Sequence, residues 1–447
     1  MKGIQGRFLT GSTMSHVLRM TLTGTAGITF VFLVDAINLF WISWLGDIQL
    51  MAAMGFGFSI QFFSVSVGIG LMIASTALIS RSIGQGKLDQ TRDQATSVII
   101  IAVFLMIIVT ILMIIYRKNL VGFLGANGDT AEFATRYLLV SLISLPIMAI
   151  GMSGNAILRA EGDGMRAMIS TLVPGVMALL IDPILIVWLD LGLDGAAIGV
   201  GFSRTAMALT ALYFVIKKHD LLAYPSVTQI SKTIKPYCIV AIPTILTQLS
   251  TPFGNYVLTI VIAGFGDSAV AAWAVVNRLT VLSFGGIFSL SSAVGGIFGQ
   301  NFGAQNFRRL ITAYRDGLIF CIGYTSFMWA ILIASTDLIV KLFGLDPEGA
   351  QIIWNFTHFT PGAFIFSGMM FVACSAFNNT GKPIWSTTIN WVRDGIFTLP
   401  AALWLSGLFN APSGVLYAQG VAAILAGTIA VIWAKIYIQR LSILEKS

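Results

Sequence analysis

Two isolated carboxylates indicate that this chain handles protons or cations. Asp35 is the only charged residue between positions 20 and 46, and Asp182 is the only one between 167 and 189. An ionised aspartate inside an apolar, membrane-length segment costs roughly 3 kcal/mol, so such a residue is a functional candidate by default. Apolar surroundings favour the neutral carboxyl group, which makes a proton the expected ligand. Sodium stays open, because carboxylate, amide and carbonyl oxygens also bind hard cations.

Polar residues of the same half could complete such a site. Tyr137 and Asn155 lie in the fourth apolar segment, and Asn38 follows Asp35 by one helical turn. Buried polar side chains also serve simply to join helices, so each of the three is a weak signal on its own. We expect them to form a supporting polar network around the acids.

Helix breakers lie close to both acids. Pro183 follows Asp182 directly and lacks the N–H that would bond to the carbonyl of Leu179, so the helix should kink or loosen there. Gly24 and Gly27 give the first segment a similar soft point before Asp35. We predict hinges at Gly24, Gly27 and Pro183, with protonation of Asp35 bending the first helix.

The composition is that of a membrane protein. The chain has 447 residues, 56% hydrophobic and only 10% charged, with a mean hydropathy of +0.87. Soluble domains carry about 25% charged residues. The first apolar segment is longer than the 7 to 15 residues of a cleavable signal's apolar core, so it reads as a transmembrane helix. The fold expected is an all-α polytopic membrane protein with lipid as a partner.

Twelve apolar runs of about 20 residues or more could each cross a bilayer. If the N-terminus lies inside, 19 of the 26 Lys and Arg residues fall in inner loops and termini. The positive-inside rule therefore places both termini in the cytoplasm, and we expect a bacterial inner membrane. The net charge of +7 follows from these loops and predicts no nucleic-acid partner. The runs are 17–45, 50–80, 95–116, 131–157, 166–188, 196–216, 237–263, 269–299, 317–340, 350–377, 384–405 and 414–436.

An internal repeat relates the two halves of the chain. The segment 44–47 recurs as 264–267 at an offset of 220, and Gly162 maps to Gly381 at an offset of 219. Six helices per half is an even number, so both halves enter the membrane from the same side. We predict two six-helix lobes related by a pseudo-two-fold axis along the membrane normal. The predicted limits are 1–216 for the N-lobe, 217–235 for a cytoplasmic linker and 236–447 for the C-lobe.

The repeat shows that the acids belong to one half only. Asp35 maps to Asn255 and Asp182 maps to Ala401, which are both neutral. If the acids served only to fold a lobe, the second lobe should need them too. Asn255 and Arg278 are the candidates for a site in the C-lobe.

Three arginines fall within predicted spans, at positions 204, 278 and 393. Arg393 is followed directly by Asp394, and adjacent residues do not face each other on an α-helix, so we expect no direct ion pair between them.

Enzymatic and metal chemistry is not indicated. Cys238, Cys321 and Cys374 stand singly without a C-x-x-C pair, and the three histidines are dispersed, so we expect no metal site. No H-E-x-x-H, G-x-S-x-G or P-loop motif occurs. The sequence therefore predicts neither an enzyme nor a cofactor. Two unequal lobes also fit an ion channel poorly.

Several motifs carry a resemblance to a known family. In the first half they are Val34-Asp35 with Leu45-Gly46, the loop 80–86, the run 154–163, and Ile181-Asp182-Pro183; in the second half they are Gly266-Asp267, Asn277-Arg278 and the run 299–304. In this order they resemble the multidrug and toxic compound extrusion (MATE) family over nearly the whole chain. The acids in the first and fifth spans make the chain similar to the DinF-like branch. The seventh and tenth spans lack the acids of the NorM branch.

The resemblance implies that Asp35, Tyr137, Asn155 and Asp182 belong to one polar network. Two positions depart from the DinF-like pattern, since Ala178 replaces an asparagine and Val200 replaces a threonine. We therefore expect a thinner network in which Asp35 carries more of the coupling than Asp182.

The function expected is proton-coupled export of organic, cationic or amphiphilic compounds by a monomer that alternates access across the membrane. Sodium-coupled export is one alternative. A lipid-linked precursor flippase is another, but it should want a strongly basic cavity, and only Arg204, Arg278 and Arg393 could contribute to one.

Overall fold

The computed structural model describes residues 6–44 and 48–444, although the side chains of a few helical residues, Asp35 among them, lie outside the description. Over these residues the chain is helical and contains no strand. A short 3₁₀ turn, Arg7–Leu9, precedes the first helix, and π-helical segments cover Ile184–Trp188 and Val392–Thr398. The α-helices are α1 Thr13–Trp44, α2 Ile48–Gly84, α3 Leu88–Phe123, α4 Gly128–Leu142, α5 Leu145–Glu161, α6 Gly164–Pro183, α7 Gly192–Lys217, α8 Val227–Ala263, α9 Asp267–Gly303, α10 Phe307–Ala334, α11 Thr336–Leu342, α12 Pro347–Thr380, α13 Pro383–Trp391, α14 Leu399–Phe409 and α15 Ser413–Leu444.

All twelve predicted spans are present as helices. Among the described residues, ten helices are long and apolar enough to cross a membrane by themselves, and the pair α4 and α5, bent by 50°, makes an eleventh span. The twelfth consists of α13, the second π-helical segment and α14. Large apolar side chains along α3 are exposed, including Phe104, Ile111 and Ile115, as expected of a surface that meets lipid. The predicted all-α polytopic fold is confirmed.

The internal repeat recurs in the helix limits. Helices α2 and α9 both begin and end 219 residues apart, and so do the first residues of α6 and α13. Gly162 and Gly381 end equivalent helices in the left-handed conformation, with φ of 90° and 96°. Glycine suits both positions because a Cβ atom is strained there.

The described chain packs as two compact units. One contains the described residues between 26 and 245, and the other contains residues 6–25 with 246–444. The first half of α1 therefore belongs to the second unit, and the first half of α8 belongs to the first. The two dividing points are 220 residues apart, which is the repeat offset. The lobe and linker limits drawn from the sequence stay a prediction.

Each unit has its own apolar core. The core of the first unit contains the fully buried side chains of Leu71, Ile79 and Tyr237. The core of the second contains Phe284, Phe298 and Phe356. Buried side chains of this size lock the helices of each unit into one packing, which fixes the positions of the polar groups described below.

Candidate transport site

Asp182 lies on α6 in the interior of the first unit, with only 3% of its surface exposed. The side chain of Asn38, on α1, hydrogen-bonds to its carboxyl group. The backbone of α7 closes the other side, because a Cβ atom built on Gly199 would lie 1.9 Å from Asp182 Oδ1. Only glycine at position 199 therefore allows α7 to approach the carboxyl group this closely.

Two oxygen atoms of this pair have no hydrogen-bond donor among the described residues. They are Asp182 Oδ1 and Asn38 Oδ1, and both are buried. A buried acceptor without a donor is costly, and an ordered water, a bound ion or a functional role accounts for such atoms in native proteins. The role of Asp182 as a proton or cation site stays a prediction.

Asp35 lies on α1 three residues before Asn38. Its side chain is outside the described residues, so its predicted role stays a prediction. The backbone of α1 nevertheless connects position 35 to Asn38 within one turn, and Asn38 contacts Asp182.

Asn155 contacts a different part of α6. Its amide nitrogen donates to the carbonyl of Ala167 at 2.9 Å and to the hydroxyls of Ser170 and Thr171 at 2.9 and 3.0 Å. Its oxygen accepts a hydrogen bond from Arg159 at 2.6 Å. These contacts join α5 to α6, and none of them reaches Asp182.

Thr171 continues this contact toward α1. A Cβ atom on Gly27 would lie 3.3 Å from Thr171 Cγ2, so α1 and α6 approach closely at the predicted soft point. The helix itself is continuous there, because α1 runs unbroken through Gly24 and Gly27. At Pro183, in contrast, the α-helical pattern ends and the π-helical segment begins, as the missing N–H suggests. The hinge roles of all three residues stay predictions.

Tyr137 lies in a third cluster, around Arg204. Tyr137 is buried on α4, and its ring packs against the backbone of Gly57, where a Cβ atom would lie 2.5 Å from it. Arg204 on α7 is also buried, with 8% of its surface exposed, and it interacts with Tyr137 electrostatically. Among the contacts between described residues, Tyr137, Asn155 and Asp182 thus fall into three different sets.

Arg204 holds the bend in the fourth span. Its guanidinium group donates to the Ser141 carbonyl and the Ser144 hydroxyl, both at 2.8 Å, and to Gln61 Oε1 at 2.9 Å. The bend lies at Ile143 and Ser144, just before Pro146, whose missing N–H interrupts the helix. No acidic partner for Arg204 is found in the described part of the chain. Neutral oxygens at a broken helix thus satisfy this buried cation.

Sequence reasoning missed Gln61, Ser141 and Ser144 as partners of Arg204. A proline in the middle of a membrane span together with a lone arginine in another span was the available signal. The pairing itself depends on how α2, α4 and α7 pack, which no spacing in the sequence reveals.

The predicted candidates of the second half lie at the surface of the described chain, and their role in a site stays a prediction. Asn255 on α8 and Arg278 on α9 are both exposed. The carbonyl of Asn255 accepts a hydrogen bond from Thr259 within the same helix.

Arg393 and Asp394 overturn one expectation. Arg393 donates two hydrogen bonds to the carboxylate of Asp394, from Nε at 2.7 Å and from Nη2 at 2.9 Å. The prediction of no direct ion pair was wrong because it considered only the directions in which adjacent side chains leave the helix, whereas the long arginine side chain reaches the neighbouring carboxylate. The two residues lie in the π-helical segment, and on the α-helix α10 Arg315 likewise lies 3.5 Å from the carboxylate of Asp316.

Comparison with known proteins decides the family. The MatE family model matches residues 26–184 and 243–404, which is most of the chain. The chain belongs to the MATE family. As a MATE protein it is a multi-pass membrane transporter and not an enzyme, and the family uses ion gradients without a cofactor.

Relatives of this MATE protein cover nearly its whole length. A protein of Shewanella oneidensis described as an FAD transporter is 27% identical over 418 residues, which is 92% of each chain. The multidrug export protein MepA of Staphylococcus aureus is 24% identical over 416 residues, or 91% of this chain and 90% of MepA. The crystal structure of a mutant of the Vibrio cholerae MATE transporter VcmN superposes with a TM-score of 0.90 at 25% identity, covering 96% of this chain and 98% of VcmN.

Two apolar residues stand where the DinF-like pattern has polar ones. Ala178 is buried one turn before Asp182, and Val200, the neighbour of Gly199, is partly buried. Neither can donate a hydrogen bond from its side chain to the carboxyl group. The assignment of this MATE protein to the DinF-like branch stays a prediction.

A cluster of polar side chains lies at the start of α6 in the first unit. Asp163 caps α6 by accepting a hydrogen bond from the backbone N–H of Arg166 at 3.1 Å. The Arg166 guanidinium group forms an ion pair with Asp163, and His219 Nε2 lies 3.0 Å from Asp163 Oδ2. Burial would raise the pKa of Asp163, but the hydrogen bonds and charges of His219 and Arg166 hold that pKa well below its ordinary value.

We expect Asp163→Asn to lower the unfolding temperature at pH 7, with a loss of about 1.5 to 3 kcal/mol for hydrogen bonds to a charged group. Because the folded pKa is depressed, this contribution is complete above the unfolded pKa of about 3.9 and is lost progressively as the pH falls from there toward the folded pKa. Thermal unfolding followed by the circular dichroism of the helices, which can be recorded at pH 7 and at pH 3, would measure it. Asp190→Asn, at an exposed position, is the control. A difference that persists unchanged at pH 3 would contradict the assignment.

Proposed function

We propose that this protein exports organic cations or cationic amphiphiles in exchange for protons, with Asp35 as the principal proton carrier and Asp182 as its partner. The observation that carries the proposal is the contact between Asp182 and Asn38, one turn from Asp35. It connects the two isolated acids of the sequence through α1. MepA, a relative at 24% identity, is described as a multidrug export protein and supports the substrate class.

Exchange follows from the charge of this site. With the acids deprotonated, the first unit carries negative charge that attracts a cationic substrate from the cytoplasmic side. Protonation from the outside removes that charge and favours release of the substrate. Deprotonation toward the cytoplasm restores binding. Such coupling requires only that proton and substrate bind the two conformations with different affinities.

The contacts of Asp182 couple its protonation to the positions of the neighbouring helices. A change in the hydrogen bond from Asn38 acts on α1, and a change in the position of Oδ1 acts on α7 through its contact with Gly199. Three helices therefore meet at one carboxyl group. We infer that protonation changes how α1, α6 and α7 pack, and that both termini of the protein lie in the cytoplasm of a bacterial cell.

The test is substrate-induced proton release from proteoliposomes. We expect Asp35→Asn to abolish proton release and Asp182→Asn to lower it by about tenfold, equivalent to about 1.4 kcal/mol. Asp190→Asn, which removes an exposed acid eight residues after Asp182, should behave as the wild type. Undiminished proton-coupled export by Asp35→Asn would contradict the proposal.

Sodium coupling is the second candidate, and a specific observation favours it. Asp182 Oδ1 and Asn38 Oδ1 are both oxygen ligands without a donor among the described residues, and such oxygens suit a hard cation. In the same vesicles, export that follows an imposed sodium gradient, with no release of protons, would support this candidate over the first.

The flippase alternative gains no support from the arginines. Arg204 is engaged by neutral oxygens, Arg278 is exposed, and Arg393 is paired with Asp394. A pyrophosphate group needs several free cations in one place. We therefore keep export of organic compounds as the proposed function.

A further inference from the structure

The ion pair of the second unit lies in an unusual place for a structural contact. Arg393 and Asp394 keep only 12% and 10% of their side chains exposed. Desolvation makes buried ion pairs poor stabilisers, since apolar side chains of similar size often do as well. Charged residues within membrane spans and π-helical segments within α-helices both mark functional sites. Stability alone therefore does not account for this pair.

Aromatic side chains lie on the helices that hold the pair, and one of them contacts Arg393. The Arg393 guanidinium group lies 5.7 Å from the centre of the Phe371 ring. Trp391, on the preceding turn, packs against Phe253 of α8 with 5.5 Å between ring centres. Phe253 is 43% exposed, so the aromatic surface is accessible from outside the unit's core.

The backbone of α8 brings this aromatic surface to the acid. A Cβ atom on Gly254, the residue after Phe253, would lie 3.4 Å from Cβ and Cγ of Asp394. The Trp391 indole N–H donates to the carbonyl of Leu246 at 3.0 Å, which fixes the ring against the same helix. One carboxylate, one guanidinium group and three aromatic rings are thus held together by α8, α12, α13 and the π-helical segment.

We propose that this cluster binds the positively charged group of a planar aromatic cation, with Asp394 as the counter-ion; the inference rests on the export function proposed above and assigns a substrate site to it. Aromatic faces attract organic cations and stack on planar ligands. A cation that takes Asp394 displaces Arg393, and Arg393 keeps a partner because its guanidinium group already lies over Phe371.

An anionic ligand fits the cluster less well. It would take Arg393 and leave Asp394 beside the backbone of Gly254, and no second cation contacts Asp394 among the described residues. An unpaired buried carboxylate is costly. The asymmetry between the two partners therefore selects for cations.

The test is equilibrium binding of ethidium, a planar aromatic cation, to the purified full-length protein at fixed pH, followed by ethidium fluorescence. We expect Asp394→Asn to raise the Kd at least about tenfold, a difference of about 1.4 kcal/mol. Asp394→Glu, which keeps the charge, should raise it less. Asp316→Asn is the control, because Asp316 also pairs with an adjacent arginine, Arg315, in the same unit but lies on α10, which contributes none of the three rings.

A second variant guards against misfolding. Asp394→Asn leaves Arg393 buried without its partner, so the double variant R393Q/D394N removes both charges together. Elution of the double variant from a size-exclusion column at the wild-type volume verifies its folding. We expect it to lose as much ethidium affinity as Asp394→Asn. Unchanged Kd values for ethidium in both variants would overturn the proposal. Variants that bind an anionic flavin more weakly than the wild type but bind ethidium equally well would also overturn it. Because binding is measured without a proton gradient, this result is independent of the Asp35→Asn transport test.

Discussion

Gly199→Ala is expected to destabilise the protein and to stop transport, although it adds a single methyl group. The new Cβ atom would lie 1.9 Å from Asp182 Oδ1, so either the carboxyl group or α7 must move. Overpacking of this kind costs about 1 to 3 kcal/mol. Displacement of the carboxyl group would also break its contact with Asn38, on which the proposed coupling depends.

Gly201→Ala is the matched control on the same helix. Its Cβ atom would meet only Ser144 Cβ, at 3.9 Å, which is an ordinary contact. Replacing a glycine inside a helix by alanine otherwise favours the helix by up to about 1 kcal/mol. We therefore expect Gly201→Ala to retain the unfolding temperature and the efflux rate. Equal behaviour of the two variants would refute the close approach of α7 to Asp182.

A double variant separates packing from transport. D182A/G199A removes the oxygen that the new methyl group would strike. We expect it to recover most of the unfolding temperature lost in Gly199→Ala, because the clash is gone. Transport should remain absent, since the carboxyl group is gone too.

Arg204→Met is expected to destabilise the first unit by about 2 to 4 kcal/mol, because it leaves buried oxygen atoms without a donor. Gln61 Oε1 and the Ser144 hydroxyl oxygen each lose the hydrogen bond that Arg204 donates to them. The Ser141 carbonyl loses one of its donors. The bend between α4 and α5 then loses the hydrogen bonds that Arg204 of α7 donates to it. The apparent unfolding temperature of the purified protein measures the effect.

Removing an acceptor along with the donor should reduce this penalty. Gln61→Met by itself also removes the hydrogen bond that Gln61 Nε2 donates to the Ser141 hydroxyl at 2.8 Å. We expect Q61M/R204M to lose less stability than the sum of the two single variants, because the Gln61 oxygen that Arg204→Met leaves unpaired is then absent. A double-mutant cycle with Gln61→Met gives the coupling energy of the pair. Arg278→Met, at an exposed arginine on α9, is the control and should change stability little. A coupling energy of zero would show that Arg204 and Gln61 are not partners.

The sequence by itself determined the spans, the repeat and the candidate acids. Each of the twelve apolar runs became one span, because in lipid the backbone must satisfy its own hydrogen bonds and only a helix does so along a single segment. The 219-residue offset survives in the limits of α2 and α9. The charge-free surroundings of Asp182 indicated its burial, which the structure shows at 3% exposure.

Only the tertiary structure decided which polar groups meet. Asp182 meets Asn38 and the backbone of Gly199, whereas Asn155 contacts other residues of α6. Arg204 finds its partners across α2 and α4. Such contacts depend on the rotation and spacing of packed helices, and a local pattern of residues contains neither quantity.

The Arg393 and Asp394 pair also shows what the sequence determines and what only the tertiary structure decides. Their adjacency is evident in the sequence, but whether they touch depends on the side-chain conformations that packing selects. An arginine side chain also reaches an adjacent carboxylate on an α-helix, as Arg315 and Asp316 show on α10, and in the π-helical segment Arg393 forms two hydrogen bonds with Asp394. The sequence supplied both charges, and the packed helix determined that they neutralise each other.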